Sequence, residues 1–96
     1  MIYEITDLPI RRGDGEAFLA AWKRAAEVLA RQPGYLGHEI GRQTESGDVF
    51  TLLIRWQSLH AHTEVFANSP DFQPFLNLFS SFIDGTVRIV HVEPAA

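Results

Sequence analysis

The run Val49-Phe50-Thr51-Leu52-Leu53-Ile54, closed by Arg55-Trp56, constrains the fold more than any other segment. It reads as a β-strand, Val49 to Trp56, with apolar side chains on both faces. Successive strand residues point to opposite sides of a sheet, so both sides need a cover. In an antiparallel sheet one cover is a layer of helices. The chain has 96 residues, 46% of them hydrophobic, with seven Phe and two Trp. A chain of this length buries only about 60–65% of the surface it exposes when unfolded, so its own core is thin. The second cover is therefore expected from the sheet of another subunit in a homodimer; the alternative is a monomer with a generous ligand pocket.

The remaining segments supply the elements for that plan. Ile2 to Ile10 reads as a strand with Ile2, Glu4, Thr6, Leu8 and Ile10 on one face and Tyr3, Ile5 and Asp7 on the other. Arg12-Gly13-Asp14-Gly15 is a turn in which Asp14 or Gly15 could cap a helix. Glu16 to Arg31 is that helix: alanine-rich, with Phe18, Trp22, Ala25 and Leu29 at spacings of three or four. Pro33-Gly34 stops it. Tyr35 to Thr44 is a second strand, joined to the third by Glu45-Ser46-Gly47-Asp48. Ser58 caps a short helix from Leu59 to about Ala67. Ser69 is the expected N-cap of a second, with Pro70 at its first position and Phe72, Phe75, Leu76 and Phe79 as its stripe. A last strand runs from about Thr86 to Glu93.

The order strand, helix, strand, strand, helix pair, strand predicts one domain over 1–96. It is a ferredoxin-like α+β fold with a four-stranded antiparallel sheet and helices on one face. The bare face, apolar at Leu53 or Ile54, Ile89 or Val90, and Ile40, needs a cover, and two such sheets facing each other would close a dimeric barrel.

The formal charge is −4, with eight Lys and Arg residues scattered along the chain, which argues against a nucleic-acid partner. No apolar stretch approaches the ~20 residues that span a bilayer, so no membrane association is expected. Met1-Ile2-Tyr3-Glu4 lacks the basic start and apolar run of a signal peptide, and the expected location is the cytoplasm. There is no cysteine, hence neither disulfide nor thiolate metal site.

Two segments resemble a known family. One is Leu53-Ile54-Arg55-Trp56-Gln57-Ser58-Leu59-His60-Ala61-His62, continued by Phe66-Ala67-Asn68-Ser69-Pro70-Asp71-Phe72-Gln73-Pro74-Phe75; the other is Gln32-Pro33-Gly34-Tyr35-Leu36-Gly37-His38-Glu39. They resemble the antibiotic biosynthesis monooxygenase domains of the dimeric α+β-barrel superfamily, in which a strand ending in Trp-x-Ser leads to a His-containing helix, then Ser-Pro and aromatics. The haem-degrading branch uses an Asn on the first strand, a helical Trp and a ligating His. This chain has no Asn on its first strand, Val65 or Phe66 near the Trp position and Phe75 near the His. The resemblance therefore implies an oxygenase without a bound cofactor, acting on a phenol, anthrone or quinol-like aromatic. A non-catalytic, dimeric ligand-binding or stress-related barrel is the alternative. An isomerase, cyclase or quinone-handling enzyme on the same scaffold is a third reading.

Oxygen reacts with a phenolate or carbanion far more readily than with the neutral aromatic. Such a site needs a proton acceptor and a dry apolar cavity. His62 is the candidate base, because an imidazole titrates near neutral pH. Trp56 is the candidate wall, with an indole N–H that could bind a substrate oxygen. Tyr3, Phe66, Phe75, Arg88 and His38 are candidate substrate contacts, with Arg55 a further cation for an oxyanion. Asp7 and Glu39 would form a carboxylate pair only if their strands were neighbours. His60 and His62, two apart, cannot share a helix face, and no HExxH spacing is present, so no metal is expected.

Overall fold

Four strands, β1 (Ile2–Pro9), β2 (Tyr35–Arg42), β3 (Val49–Trp56) and β4 (Arg88–Val92), build one sheet in the order β2-β3-β1-β4. The computed structural model that gives this arrangement describes residues 1–95. Every neighbouring pair is antiparallel. The two connections that skip a strand, β1 to β2 and β3 to β4, carry the helices, which is the ferredoxin-like α+β order.

Helix α1 (Gly15–Ala30) lays Phe18, Ala21, Trp22, Ala25 and Leu29 onto the sheet. The spacing of three and four residues makes these one stripe. On the sheet side, Leu8 of β1 and Phe50, Leu52, Ile54 and Trp56 of β3 meet that stripe, all at 3% exposure or less. Pro33-Gly34 ends the excursion. Gly34 has φ of 83°, and a Cβ there would lie 2.6 Å from Cβ of Ala61. Only glycine lets this turn close onto the chain that follows β3.

That following chain forms a π-helix (Ala61–Phe66), then α2 (Phe72–Asn77) and one 3₁₀ turn (Ser80–Phe82). The wide turn is closed by Ala67 N–H on the carbonyl of His62, 3.2 Å, five residues back. The Ser58 hydroxyl caps the entrance, accepting from Ala61 N–H at 3.1 Å. A π-helix replaces the α-helix expected over Leu59 to Ala67, and single π turns often accompany functional sites.

Other sequence expectations shift at element ends. β2 stops at Arg42 rather than Thr44, and β4 covers Arg88–Val92 rather than Thr86 to Glu93. Asp14 precedes α1 without a side-chain cap; its carboxylate takes the Arg11 guanidinium at 2.8 Å instead. Ser69 does not cap α2 with its hydroxyl; its carbonyl receives Phe72 N–H at 3.3 Å, and Asp71 stands at the N-cap.

The strand faces sort the apolar residues. Leu53 pairs with Ile5, and Ile5 with Val90, so these three form a row across the face away from the helices. Ile54 and Ile40 point to the helix side. His38 pairs with Ile54 and Ile40 with Leu52, and Ile54 and Leu52 are buried core. The bare face is therefore apolar at Leu53 and Val90, with Tyr3 and Val92 beside them.

Candidate active site

Glu4 shares a face with Leu8 and Ile10, which places its carboxylate between sheet and helices, at 5% exposure. A buried carboxylate needs donors. Three groups reach it. The Trp56 indole N–H donates to Oε1 at 2.9 Å, the Thr6 hydroxyl to Oε2 at 2.6 Å, and Nε2 of His62 lies 3.2 Å from Oε1. An ionised carboxylate has about four acceptor positions. The two hydrogen bonds leave acceptor positions free.

Local structure sets each partner. Trp56 ends β3 directly opposite Ile2 and is fully buried. The π-helix brings His62 flat onto it, with ring centroids 5.3 Å apart and planes 9° from parallel. On its far side, Nδ1 of His62 meets Nε2 of His91 at 2.8 Å. His91 belongs to the edge strand β4, where it pairs with Glu4 across the sheet. Burial pulls the His62 pKa below its ordinary 6.5; the Glu4 charge opposes this and His91 adds to it. Desolvation wins, so the imidazole is neutral near neutral pH.

Glu4, Thr6 and His62 form the polar floor of a cavity of about 120 Å³. Its walls are apolar: Phe66, Phe75 and Phe79, with Leu52 and Ile54 from the sheet. Phe66 and Phe75 meet edge to face at 5.2 Å, and Phe75 and Phe79 repeat the contact at 5.2 Å. Val87 and the half-exposed Ile89 stand at the mouth. A dry apolar hole of about 150 Å³ accepts benzene, so this one is the size of a single aromatic ring. A larger, polar cleft of about 210 Å³ lies at the start of α1 and is lined by the exposed Arg11 and Arg42. The buried polar groups gather at the apolar cavity, where a low dielectric strengthens each polar contact.

The structure brings His62, Phe66 and Phe75 to this cavity. Trp56, the expected wall, stands behind the floor instead, its ring stacked on His62 and its N–H given to Glu4 rather than open to a substrate oxygen. Tyr3 and Arg88, expected there, lie on the opposite face of the sheet, because their registers alternate with Glu4 and His91. His38 faces the helices but on the opposite edge strand, β2, with β3 between it and Glu4. Its Nδ1 meets the Tyr35 hydroxyl at 2.7 Å and its ring stands edge-on to Trp22. Burial lowers its pKa, with the Arg55 charge assisting. Arg55 reaches Glu39 at 3.9 Å on the bare face. Asp7 and Glu39 sit on strands separated by β3 and form no pair; Asp7 takes the Thr51 hydroxyl at 2.8 Å.

Glu4 and His91 escaped the sequence reading as site residues. The signal for Glu4 was present: a carboxylate in alternation with Ile2, Leu8 and Ile10 is an inward charge. His91 required the β1–β4 register. Among the described residues, no group of three or more His, Cys, Asp and Glu is arranged to hold a metal ion. His62 turns its two nitrogens toward different partners, making a chain rather than a chelate.

The model of one family, described as antibiotic biosynthesis monooxygenase, matches residues 1–78. The uncharacterized protein YczJ of Bacillus subtilis (strain 168) is 28% identical over 93 residues, covering 97% of this chain and 98% of that protein. The crystal structure of a Bordetella bronchiseptica protein named for the same family is similar with a TM-score of 0.93 and 24% identity, over 99% of this chain and 97% of the other. SnoaB, a cofactor-independent oxygenase from Streptomyces nogalater, is similar with a TM-score of 0.82 and 18% identity, over 99% and 93% of the two chains. At these identities the two structures establish a shared fold.

Proposed function

The chain belongs to the antibiotic biosynthesis monooxygenase family, and from that premise we propose that it oxidises a phenolic or quinol-like aromatic with molecular oxygen, without a bound cofactor. One observation carries the reading: a buried carboxylate, braced by Trp56, Thr6 and His62, forms the floor of a ring-sized aromatic cavity.

The sequence pointed to His62 as base. Its Nδ1 is bonded to His91 and its Nε2 faces Glu4, so the reading assigns proton acceptance to Glu4, with His62 as its partner. A substrate hydroxyl, or the acidic C–H of an anthrone, gives its proton to a free acceptor position of Glu4. The resulting anion transfers one electron to oxygen. Superoxide and the delocalised substrate radical combine at carbon, forming a C–O bond. The O–O bond of the hydroperoxide then breaks: one oxygen stays on carbon as a carbonyl, and the other leaves as water with two hydrogens from the substrate. The reaction needs no external reductant. Glu4 returns the proton it took.

The charge of the floor selects the substrate class. An anionic group in an apolar cavity disfavours carboxylates and phosphates and favours neutral donors such as O–H. One ring fills the cavity, and the rest of a larger substrate extends past Val87 and Ile89. The reading includes a homodimer in which the row Leu53, Ile5 and Val90 is covered by the same row of a second copy. It also includes a cytoplasmic location; no helix among the described residues is long and apolar enough to cross a membrane.

The test is oxygen uptake by the purified protein with hydroquinones, naphthols and anthrones, under chelator and without added flavin. Enzyme-dependent uptake supports the reading. Uptake no faster than the spontaneous rate across the panel favours the alternative of a ligand-binding barrel.

A further inference from the structure

We infer that His91 is a positioning residue of this cavity: from the edge strand β4 it fixes the tautomer of His62, and through it holds Glu4 as a proton acceptor. The inference rests on the proposed role of Glu4.

The indole N–H of Trp56 can only donate. Oε1 of Glu4, 2.9 Å away, therefore accepts. The Thr6 hydroxyl fills one position on Oε2 at 2.6 Å. Nε2 of His62 stands 3.2 Å from Oε1, and beside an ionised carboxylate the imidazole hydrogen belongs there, because a bare lone pair would face the negative charge. A neutral imidazole has a single N–H, so Nδ1 of His62 is bare. It lies 2.8 Å from Nε2 of His91, which must supply the hydrogen. For an ionised Glu4 and a neutral His62, one arrangement fits: His91 donates to Nδ1 of His62, Trp56 donates to Glu4, and His62 turns its protonated Nε2 toward the carboxylate. The fold fixes it, since Glu4 and His91 are cross-strand partners and the π-helix lays His62 over both.

The titratable groups that bear on His62 are Glu4 from β1 and His91 from β4; β3 contributes the neutral Trp56. Without His91, Nδ1 loses its donor and is free to bind a proton. The imidazolium so formed would pair with Glu4 and weaken it as a base. His91 lies on an exposed edge strand, so its replacement leaves the core intact.

The experiment compares wild type, H91Q and H91V. Glutamine keeps an N–H donor; valine has none. Imidazole ¹⁵N NMR of the ligand-free protein reads the tautomer directly. We expect His62 protonated at Nε2 and bare at Nδ1 in wild type and H91Q. In H91V, its titration should move to higher pH. In oxygen uptake, kcat/KM near pH 6 should fall about tenfold in H91V, with the acid limb displaced upward, and stay within about twofold in H91Q. A His62 protonated at Nδ1 in wild type, or a His62 titration unchanged in H91V, overturns the inference. So does a pH profile unaltered in H91V. If wild type consumes no oxygen, the oxygenase reading fails while the spectra still decide the role of His91.

Discussion

Trp56 and His62 lie face to face, 5.3 Å between ring centroids and 9° from parallel, and each holds a ring nitrogen close to the same carboxylate oxygen of Glu4, 2.9 and 3.2 Å away. The stack fixes two donors relative to each other before any ligand arrives. Such pre-formed geometry is what a proton acceptor in an apolar cavity requires.

Trp56→Phe keeps an aromatic wall and removes one donor. Glu4 then stays buried with an unfilled acceptor position, which costs about 1–3 kcal/mol. Urea unfolding should show a lower midpoint with an unchanged slope. An unaltered midpoint would mean that water replaces the indole N–H.

Stability should depend on pH through the buried histidines. His62 and His38 both have pKa values lowered from 6.5, chiefly by burial. Below that value the unfolded chain binds more protons than the folded one, so stability falls with falling pH. Their contribution is complete above about pH 6.5 and is lost as pH drops toward their folded values. Unfolding free energies measured between about pH 5 and 8 should rise with pH, and less steeply in His62→Phe. The same slope in that variant would remove His62 from the explanation.

Val87→Trp, at the cavity mouth, should obstruct the ligand while leaving the floor intact. KM is expected to rise at least about tenfold with kcat little changed. A fall in kcat alone would place the substrate elsewhere.

The row Leu53, Ile5 and Val90 should be buried between two copies. Sedimentation of the wild type should give twice the protomer mass, and Leu53→Lys should give the protomer, because an unpaired charge in that interface costs several kcal/mol. A monomeric wild type would contradict the dimer.

The fold was legible because its signals are periodic. The stripe Phe18, Trp22, Ala25 and Leu29 and the alternation in β1 each fix a face without reference to the rest of the chain. The Trp-x-Ser junction likewise located the strand end and the capped turn at Ala61. The site was harder to read, because its members are distant in sequence and meet through register. Tyr3 and Glu4 are adjacent in the chain, yet only Glu4 faces the cavity. The π-helix at His62 leaves no mark in composition. His91 and Glu4 are brought together by the β1–β4 pairing, which a sequence of element types leaves open.

The most direct test of the central claim is oxygen uptake by Glu4→Gln beside wild type, with one hydroquinone or anthrone that the wild type consumes. The amide preserves shape and an acceptor oxygen for Trp56 while abolishing the base. The account predicts a fall in kcat/KM of about 10²–10⁴-fold with the fold retained. Uptake equal to wild type in a folded Glu4→Gln protein would contradict it.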